Sequence, residues 1–392
     1  MKYLRRHLCP FSSLTNKYRK TDKMDATAIG IYIHVPFCLG KCPYCDFYSV
    51  YPDEIKIKEY LSAVKMRIKE YSLIYNRKVK IKTVYFGGGT PNLIGHGGIS
   101  EILNEINEKF NTSALEEITV ECNPNSVSEE FFLGISKAGV NRISMGLQSA
   151  NESELEFLGR KHNSEDVKNA VSFAKKAGID NISLDLMIGL ENQSEKELEN
   201  SIEFCSSLGV KHISSYILKV EENTPFAKKT MLLPDEDKSA ALYLFVCDEL
   251  EKRGFSQYEI SNYSKINFES RHNLIYWQGK EYIGIGPGAH SFIEGKRFYY
   301  ERDLKKFING ALPIPDGEGG DFEEFLMLNL RLKRGLFKKD CIEKYENGEK
   351  LFTDALKKAS KIPSRYIEAN ENNISLTREG FLISNTLISM LL

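Results

Sequence analysis

Between residue 29 and about residue 220, short apolar β-type runs alternate with helical patterns. Strands are predicted at 30–35, 82–86, 117–121, 140–147, 180–188 and 211–218. Helices are predicted between them, at 54–75, 99–110, 127–138, 164–177 and 194–208. This alternation is typical of a parallel sheet whose strands are joined by helical crossovers. Six such units without a Rossmann strand-order signal predict an α/β fold with a partial, TIM-like (β/α)6 barrel.

Nearly every predicted strand ends in residues that a packed core does not require. The first strand leads into a loop with three cysteines, and the second ends in the Gly-Gly-Gly-Thr run 87–90. The later strands carry, at or near their ends, Glu121, Gln148, Asp185 and Tyr216. In β/α barrels the carboxyl ends of the strands build the active site. We therefore expect these side chains to meet at one mouth of the barrel.

The cysteines of the first loop, Cys38, Cys42 and Cys45, have the spacing C-x3-C-x2-C. Three thiolates could hold three corners of a [4Fe-4S] cube and leave one iron open. A structural zinc site is an alternative, but it needs four ligands, and the fourth would have to be His34 on the preceding strand. A disulfide would leave one of the three cysteines unpaired.

The composition narrows the class of protein. The chain of 392 residues has 53 basic and 54 acidic side chains, which argues against an electrostatically driven nucleic-acid-binding protein. No apolar run approaches the roughly 20 residues that span a bilayer, so we expect no integral membrane segment. The other five cysteines are scattered, as in proteins of a reducing compartment, and we expect a cytoplasmic protein.

The first 24 residues carry seven lysines and arginines against one acid, Asp22. Basic, acid-poor segments with serines occur in organelle transit peptides. No amphipathic helical period is visible, which favours a disordered extension or a translation start at Met24. We predict that residues 1–28 are a basic extension outside the folded domains.

After residue 234 the pattern is less regular. In chain order it predicts an amphipathic helix at 235–253, a turn-rich connection at 284–291, a Pro/Gly-rich linker at 311–320 and helices at 322–332 and 338–360. A short strand and a final helix follow. We predict three parts: a barrel over 29–234, a second region over 235–310, and a small α-rich C-terminal domain of helix–turn–helix type over 311–392.

Several strings resemble the radical S-adenosylmethionine (SAM) superfamily, and within it the anaerobic coproporphyrinogen-III oxidase-like family. They include YIHVPFC, CPYCDF, YFGGGTP, ECNP, RISMGLQS, LGRKH, LDLMIGL and GIGPGAHS. The resemblance implies that Cys38, Cys42 and Cys45 ligate a [4Fe-4S] cluster and that SAM chelates the open iron. It also implies that SAM is surrounded by Tyr32, Gly88, Gly89, Thr90, Glu121, Gln148, Arg160 and Asp185.

Two features separate the branches of this family. The oxygen-independent oxidases have a fourth cysteine two residues beyond the third, where this chain has Phe47. The run 271–277 resembles the H-N-x-x-Y-W string of the HemW haem-chaperone branch. Imidazole is a common axial haem ligand, and a Tyr/Trp pair could flank a flat macrocycle. The resemblance implies haem contacts at His272, Asn273, Tyr276 and Trp277; the alternative is a buried structural histidine with two core aromatics.

The first functional hypothesis is a haem chaperone that binds haem, a [4Fe-4S] cluster and SAM and delivers haem to an acceptor protein. A homodimer is a further expectation, and enzymatic activity is left open. The alternative is an oxygen-independent coproporphyrinogen III dehydrogenase, against which Phe47 weighs. A third hypothesis is a zinc-stabilised barrel that acts only as a binding module.

Overall fold

The computed structural model describes residues 27–75 and 79–392. Parallel strands at the centre of the fold alternate with helices. The strands are β1 (Thr27–Val35), β2 (Val79–Gly88), β3 (Glu117–Cys122), β4 (Arg142–Gln148), β5 (Asn181–Ile188) and β6 (His212–Ile217). The helices between them are α1 (Glu54–Tyr75), α2 (Gly95–Lys109), α3 (Glu129–Lys137), α4 (Glu152–Phe157), α5 (Ser164–Lys176) and α6 (Glu195–Ser207).

These six strands are hydrogen-bonded to one another in chain order, from β1 to β6. The predicted partial (β/α)6 barrel is therefore confirmed, and α1 covers the predicted residues 54–75. The strands read as continuous apolar runs because helices and the barrel interior bury both of their faces. The short helix α4 was not predicted, since six residues are too few to show a helical period.

Polar side chains fix where the crossover helices begin. At the start of α3, Ser128 accepts a hydrogen bond from the amide of Phe131, as its sequence position predicts. At the start of α5, Asn163 and Asp166 form a reciprocal capping box. Each cap satisfies amides that would otherwise lack a partner, and this sets the point at which the chain turns from loop into helix.

The second region lengthens the sheet at both ends. Its elements are α7 (Glu236–Lys252), β7 (Ser256–Glu259), β8 (Asn262–Ser264), α8 (Arg271–Trp277), β9 (Tyr282–Ile285), β10 (His290–Ile293), β11 (Lys296–Tyr299), α9 (Leu304–Ile308) and β12 (Ile314–Glu318). Strand β9 pairs in parallel with β1, and β10, β11 and β12 continue from it. At the other end, β8 and β7 follow β6, which makes a sheet of 12 strands among the described residues.

One prediction for this region was right in part and another was wrong. The turn-rich connection predicted at 284–291 has a bend and a turn at 286–288, but it also contains the end of β9 and the start of β10. The supposed linker at 311–320 contains β12, which pairs with β11. These strands have four or five residues each, and β9 finds its partner more than 240 residues earlier in the chain. Local patterns carry no signal for pairing at that distance.

The C-terminal region is mainly helical, as predicted, but it also holds a small antiparallel sheet. Its elements are α10 (Phe322–Asn329), β13 (Leu336–Phe337), α11 (Lys338–Lys344), α12 (Gly348–Ala359), β14 (Ile367–Ala369), β15 (Asn373–Leu376), α13 (Arg378–Leu382) and α14 (Ser384–Leu391). The sheet order is β13-β15-β14. The region contacts the second region through backbone hydrogen bonds from Ile260 to Arg331 (3.1 Å) and from Lys333 to Tyr258 (2.9 Å).

The predicted N-terminal extension lies largely outside the described residues, which begin at Thr27. Strand β1 also begins there, so residues 27 and 28 are part of the fold and not of the extension. Within residues 27–75 and 79–392, no helix has the length and apolar character needed to cross a membrane.

Candidate functional site

The three cysteines lie in the loop between β1 and α1, and backbone hydrogen bonds join the two ends of this loop. The amide of Cys38 donates to the carbonyl of Val50 (3.1 Å). The amide of Val50 donates to the carbonyl of Pro36 (2.7 Å). Within the loop, the amide of Cys45 donates to the carbonyl of Cys42 (3.0 Å). All three cysteines are half-buried free thiols. These hydrogen bonds anchor one short segment of chain that carries all three thiols.

The thiols face a cavity of ≈ 190 Å³ at the carboxyl ends of the strands. We call it the cysteine cavity. The predicted residues that line it are Cys38, Cys42, Cys45, Gly88, Gly89, Thr90, Glu121, Gln148, Arg160 and Asp185. The strand ends thus converge at one mouth, as in β/α barrels generally. Tyr216, which the strand pattern also suggested, does not line this cavity and is 42% exposed.

The thiols have polar neighbours. Nη1 of Arg160 lies 3.5 Å from Sγ of Cys42, and Oγ1 of Thr90 lies 3.4 Å from Sγ of Cys38. Burial raises the pKa of Cys45, so this thiol retains its proton more readily until a cation replaces it.

No three His, Cys, Asp or Glu side chains in the described ranges are grouped as ligands of a single metal ion. The three thiols instead line one wall of the cysteine cavity. A fourth thiol that the sequence analysis treated as incidental, Cys122 at the end of β3, lies there too. Its Sγ faces the carbonyl of Val120 at 3.9 Å, and burial raises its pKa far above the ordinary value. Cys122 is thus held as a thiol.

The glycines at the end of β2 have a packing role besides any ligand contact. A Cβ on Gly89 would lie 2.6 Å from the carbonyl oxygen of Phe37, and one on Gly88 would lie 2.6 Å from the ring of His34. Gly88 also has φ +107°, which side chains rarely adopt. The run therefore lets β2 and its loop approach the start of the cysteine loop closely.

Two half-buried carboxylates face the cysteine cavity. Glu121 accepts hydrogen bonds from the hydroxyl of Tyr85 (2.7 Å) and the amide of Gly88 (3.2 Å). Burial nevertheless raises the pKa of Glu121 to about 7 and that of Asp185 to about 6. Neither forms a salt bridge with another residue in the described ranges. Both are therefore suited to accept hydrogen bonds from an ammonium group or from hydroxyls.

Arg160 and Gln148 are held in place by β4. Nη2 of Arg160 donates to the carbonyl of Gly146 (3.0 Å) and to Oδ1 of Asn123 (3.4 Å). Gln148 follows a break in the register between β4 and β5 and has φ +67°, a left-handed conformation that is uncommon outside glycine. This bulge turns the end of β4 toward the cavity. No sequence pattern predicts the bulge.

Tyr32 is the one predicted SAM residue that lies elsewhere. It lines a neighbouring cavity of ≈ 320 Å³, which we call the aromatic cavity, together with His34, Phe47, Tyr276, His290 and Arg302. The hydroxyl of Tyr32 donates to Nδ1 of His34 (3.1 Å). Phe47 lines both cavities, so one side chain stands between them.

The residues predicted for haem point in different directions. His272 is 1% exposed, and its ring nitrogens lie 2.7 Å from the hydroxyls of Thr83 and Tyr276. Burial lowers the pKa of His272 to about 3, so the ring is neutral. Tyr276, four residues on, lines the aromatic cavity. In its present arrangement, His272 has no ring nitrogen available for iron.

Asn273 and Trp277 lie on another side of α8 and do not line the aromatic cavity. The guanidinium of Arg331, from the C-terminal region, stands over the ring of Trp277 at 5.7 Å. The amide of Asn273 donates to Oγ of Ser270 at the start of the helix (3.4 Å). Of the four residues of the H-N-x-x-Y-W run, Tyr276 alone lines the aromatic cavity, and Trp277 contacts the C-terminal region.

A sequence profile of the radical SAM superfamily matches residues 32–205, which include the cysteine loop and the strand ends through β5. The solved structure of a coproporphyrinogen III oxidase, HemN from Escherichia coli, has the same fold. It superposes with a TM-score of 0.79 over 95% of this chain and 91% of that one, at 18% sequence identity. The fold and the cysteine loop together define a radical SAM protein.

Proteins named heme chaperone HemW are similar over almost the whole length. The one from Bacillus subtilis is 36% identical over 368 residues, or 90% of this chain and 96% of that protein. The one from Escherichia coli is 33% identical over 373 residues, or 93% of this chain and 98% of that protein. This chain belongs to the HemW family of the radical SAM superfamily.

Proposed function

We propose that this chain is a haem chaperone that holds a [4Fe-4S] cluster and SAM at the barrel mouth and passes haem to an acceptor protein in the cytoplasm. The observation that carries the proposal is the cysteine cavity, where three thiols from one loop meet seven of the eight residues predicted for SAM. The similarity to proteins named heme chaperones extends from the barrel into the C-terminal region.

The cysteine cavity suits these cofactors chemically. Cys38, Cys42 and Cys45 would ligate the cluster, because thiolates are its usual ligands. Glu121 and Asp185 are half-buried carboxylates that form no salt bridge in the described part of the chain, and SAM offers an ammonium group, a sulfonium and ribose hydroxyls. When bound, the cluster and SAM supply one-electron chemistry; the side chains position them and limit access of water.

The three predicted parts have distinct roles in this proposal. The barrel, residues 29–234, would carry the cluster and SAM. Residues 235–310 would carry the haem contacts, since this part supplies Tyr276, His290 and Arg302 to the aromatic cavity. Residues 311–392 would stabilise the second region and offer a surface to the acceptor protein. In the homodimer that we also propose, each chain would keep this division into three parts.

The proposal is tested by anaerobic reconstitution with iron and sulfide, followed by haem titration with and without SAM. We expect about four iron atoms per chain, as the cluster requires, and saturable haem binding. In Cys42→Ser we expect iron and sulfide to be lost, because two thiolates no longer hold the cube. Zinc near stoichiometry with no iron would favour the zinc-stabilised module instead.

Cys122→Ala is the matched control, since Cys122 lines the same cavity but is held as a thiol next to Val120. It should keep wild-type iron content. Incubation of reconstituted protein with coproporphyrinogen III, SAM and a reductant separates the two porphyrin-related functions. Formation of protoporphyrinogen would favour the dehydrogenase, and its absence with an intact cluster would favour the chaperone.

A further inference from the structure

The aromatic cavity has the size and the walls of a small-molecule site. Its volume of ≈ 320 Å³ falls in the range of about 300–1,000 Å³ that is usual for ligand pockets. The rings of Tyr276 and Tyr282 meet edge to face at 4.5 Å on one side of it. Aromatic walls of this kind pack well against a flat, largely apolar ligand.

Three histidines lie in or next to this cavity, and two of them have no nitrogen to offer a metal. His272 has both ring nitrogens within 2.7 Å of hydroxyls. His34, which is 5% exposed, accepts from Tyr32 at Nδ1 (3.1 Å) and donates from Nε2 to the carbonyl of Tyr48 (3.3 Å). Ligation by either ring would first break hydrogen bonds within the protein interior.

His290 differs from both. Its side chain is 59% exposed, and its ring stacks on Tyr299 at 5.2 Å. Nδ1 lies 3.8 Å from Oδ2 of Asp316, whereas no residue in the described ranges is hydrogen-bonded to Nε2. Histidines that ligate metals usually have a carboxylate or carbonyl near the second ring nitrogen, which orients the ring and makes it more basic. His290 has a carboxylate near Nδ1, at 3.8 Å, which a short movement of either side chain would bring within hydrogen-bond distance.

Arg302 supplies an anion-binding group on the same cavity. Its side chain is 61% exposed and pairs with Oδ2 of Asp46 at 3.1 Å. Exposed ion pairs of this type are weak, so the guanidinium can change partners at little cost. Its planar fork is well suited to bind a carboxylate through two hydrogen bonds.

The cavity is also next to the proposed cluster. Asp46, the partner of Arg302, directly follows Cys45, and Phe47 lines both cavities. A ligand held by His290 and Arg302 would therefore lie against the same loop that holds the cluster.

We propose that the aromatic cavity holds haem, with His290 as an axial ligand of the iron and Arg302 paired with a propionate. This inference rests on the proposed function, which supplies haem as the cargo. It assigns the iron to a residue outside the H-N-x-x-Y-W run. Within that run, His272 acts as a positioning residue that holds Tyr276 against the cavity through a 2.7 Å hydrogen bond.

The test uses the full chain with its cluster reconstituted, titrated with ferric haem and followed by the Soret band. In His290→Ala we expect haem affinity to fall by about tenfold or more, with a Soret shift that added imidazole reverses. His96→Ala is the matched control, because His96 is exposed on α2 and does not line the cavity. It should bind haem like the wild type.

Wild-type affinity and spectrum in His290→Ala would overturn the inference and leave the proposed function standing. A second result would also overturn it: His272→Ala loses the imidazole-ligated spectrum although its far-UV circular dichroism is native, and His290→Ala keeps that spectrum. If the wild-type chain itself fails to bind haem, the proposed function fails together with the inference. These results are distinguishable because the wild type is measured first.

Arg302→Gln tests the propionate contact separately. We expect haem to bind about two- to fivefold more weakly in this variant, in line with an exposed charge pair. Haem dimethyl ester, which has no propionate charge, should bind the variant and the wild type equally. An equal loss of affinity for both ligands would mean that Arg302 supports the cavity wall and does not pair with a propionate.

Discussion

At the scale of single residues, the site contains side chains whose charged forms are costly to bury and which a bound cofactor would stabilise. Glu121 and Asp185 are carboxylates with raised pKa values because burial disfavours their charged forms. Cys45 is a thiol whose pKa burial also raises. Binding sites commonly store such unfavourable terms, which a ligand then relieves. The ligand-free chain should therefore become more stable when one of these charges is removed.

Glu121→Gln tests this. An unfolded glutamate has a pKa near 4.5 and folded Glu121 has one near 7, so the folded state binds more protons between these values and stability falls as pH rises through them. At pH 8 the variant should be more stable than the wild type by about 1–3 kcal/mol in the absence of SAM, and at pH 4.5 by much less. Thermal melts across this pH range measure the difference.

Glu203→Gln is the control, because Glu203 is exposed on α6 and forms none of the salt bridges of the described residues. It should follow the wild-type pH profile. SAM should bind Glu121→Gln more weakly than it binds the wild type. A variant whose stability tracks the wild type at every pH would show that Glu121 carries no burial cost.

Which residues reach the site could be predicted from the sequence, but their contacts could not. Strand ends placed Glu121, Gln148 and Asp185 at the cysteine cavity because parallel strands end at one edge. The sequence could not show that His272 is enclosed by two hydroxyls, since Thr83 is 189 residues away. The surroundings of His290 could not be predicted either, because they depend on the pairing of β9 to β12.

At the scale of elements, the cysteine loop is rigid where it leaves β1. The amides of Gly89 and Thr90 donate to the carbonyls of Val35 (2.8 Å) and Phe37 (2.7 Å), so β2 holds the loop by its backbone. The glycine run makes this approach feasible. The sequence predicted the six strands and, apart from α4, their helices well, since each is long enough to show its period. It did not predict β7 or β9 to β12, strands of four or five residues that are fixed by their partners.

Gly89→Ala should therefore disturb the loop. A Cβ at this position would lie 2.6 Å from the carbonyl oxygen of Phe37 and 2.9 Å from that of Val35, and backbone atoms cannot move aside as a side chain can. We expect a loss of about 2–4 kcal/mol in the free energy of unfolding and a lower cluster content after reconstitution.

Gly97→Ala provides the contrast. A Cβ on Gly97, in the first turn of α2, meets nothing within 4 Å. This variant should be more stable by about 0.5–1 kcal/mol and should keep its cluster. Denaturant unfolding and iron analysis of both variants check the pair. Equal stabilities would mean that the loop tolerates displacement by β2.

At the scale of the whole molecule, the C-terminal region packs against the second region without a separate core. Leu332 is 1% exposed and forms a bridge with Glu259, and Arg378 pairs with Asp248 and Glu251 on α7. Apolar residues of both parts belong to one contiguous buried cluster. We expect such a structure to unfold in one cooperative step. The sequence suggested a separate domain because the Pro/Gly-rich stretch resembled a linker.

Leu332→Asp tests the cooperativity. A carboxylate at this buried position, next to Glu259, should cost about 3 kcal/mol or more. Fluorescence of Trp277, the single tryptophan, and far-UV circular dichroism should report one coincident transition at a lower temperature. Leu312→Asp, at a position that is 45% exposed, should leave the transition almost unchanged. Two separate transitions in the first variant would show that the C-terminal region folds independently.

Both borders of the long sheet are closed to further strands. Along β7, residues 331–333 form hydrogen bonds with the backbone of Tyr258 and Ile260, so these groups are not available to another strand. Along β12, Pro315 has no amide hydrogen, and the exposed acids Asp316 and Glu318 repel a like-charged neighbour. Edge-to-edge pairing of strands between molecules is therefore disfavoured in the folded state, which protects the chain against fibre formation. A second copy would have to associate through helices or loops.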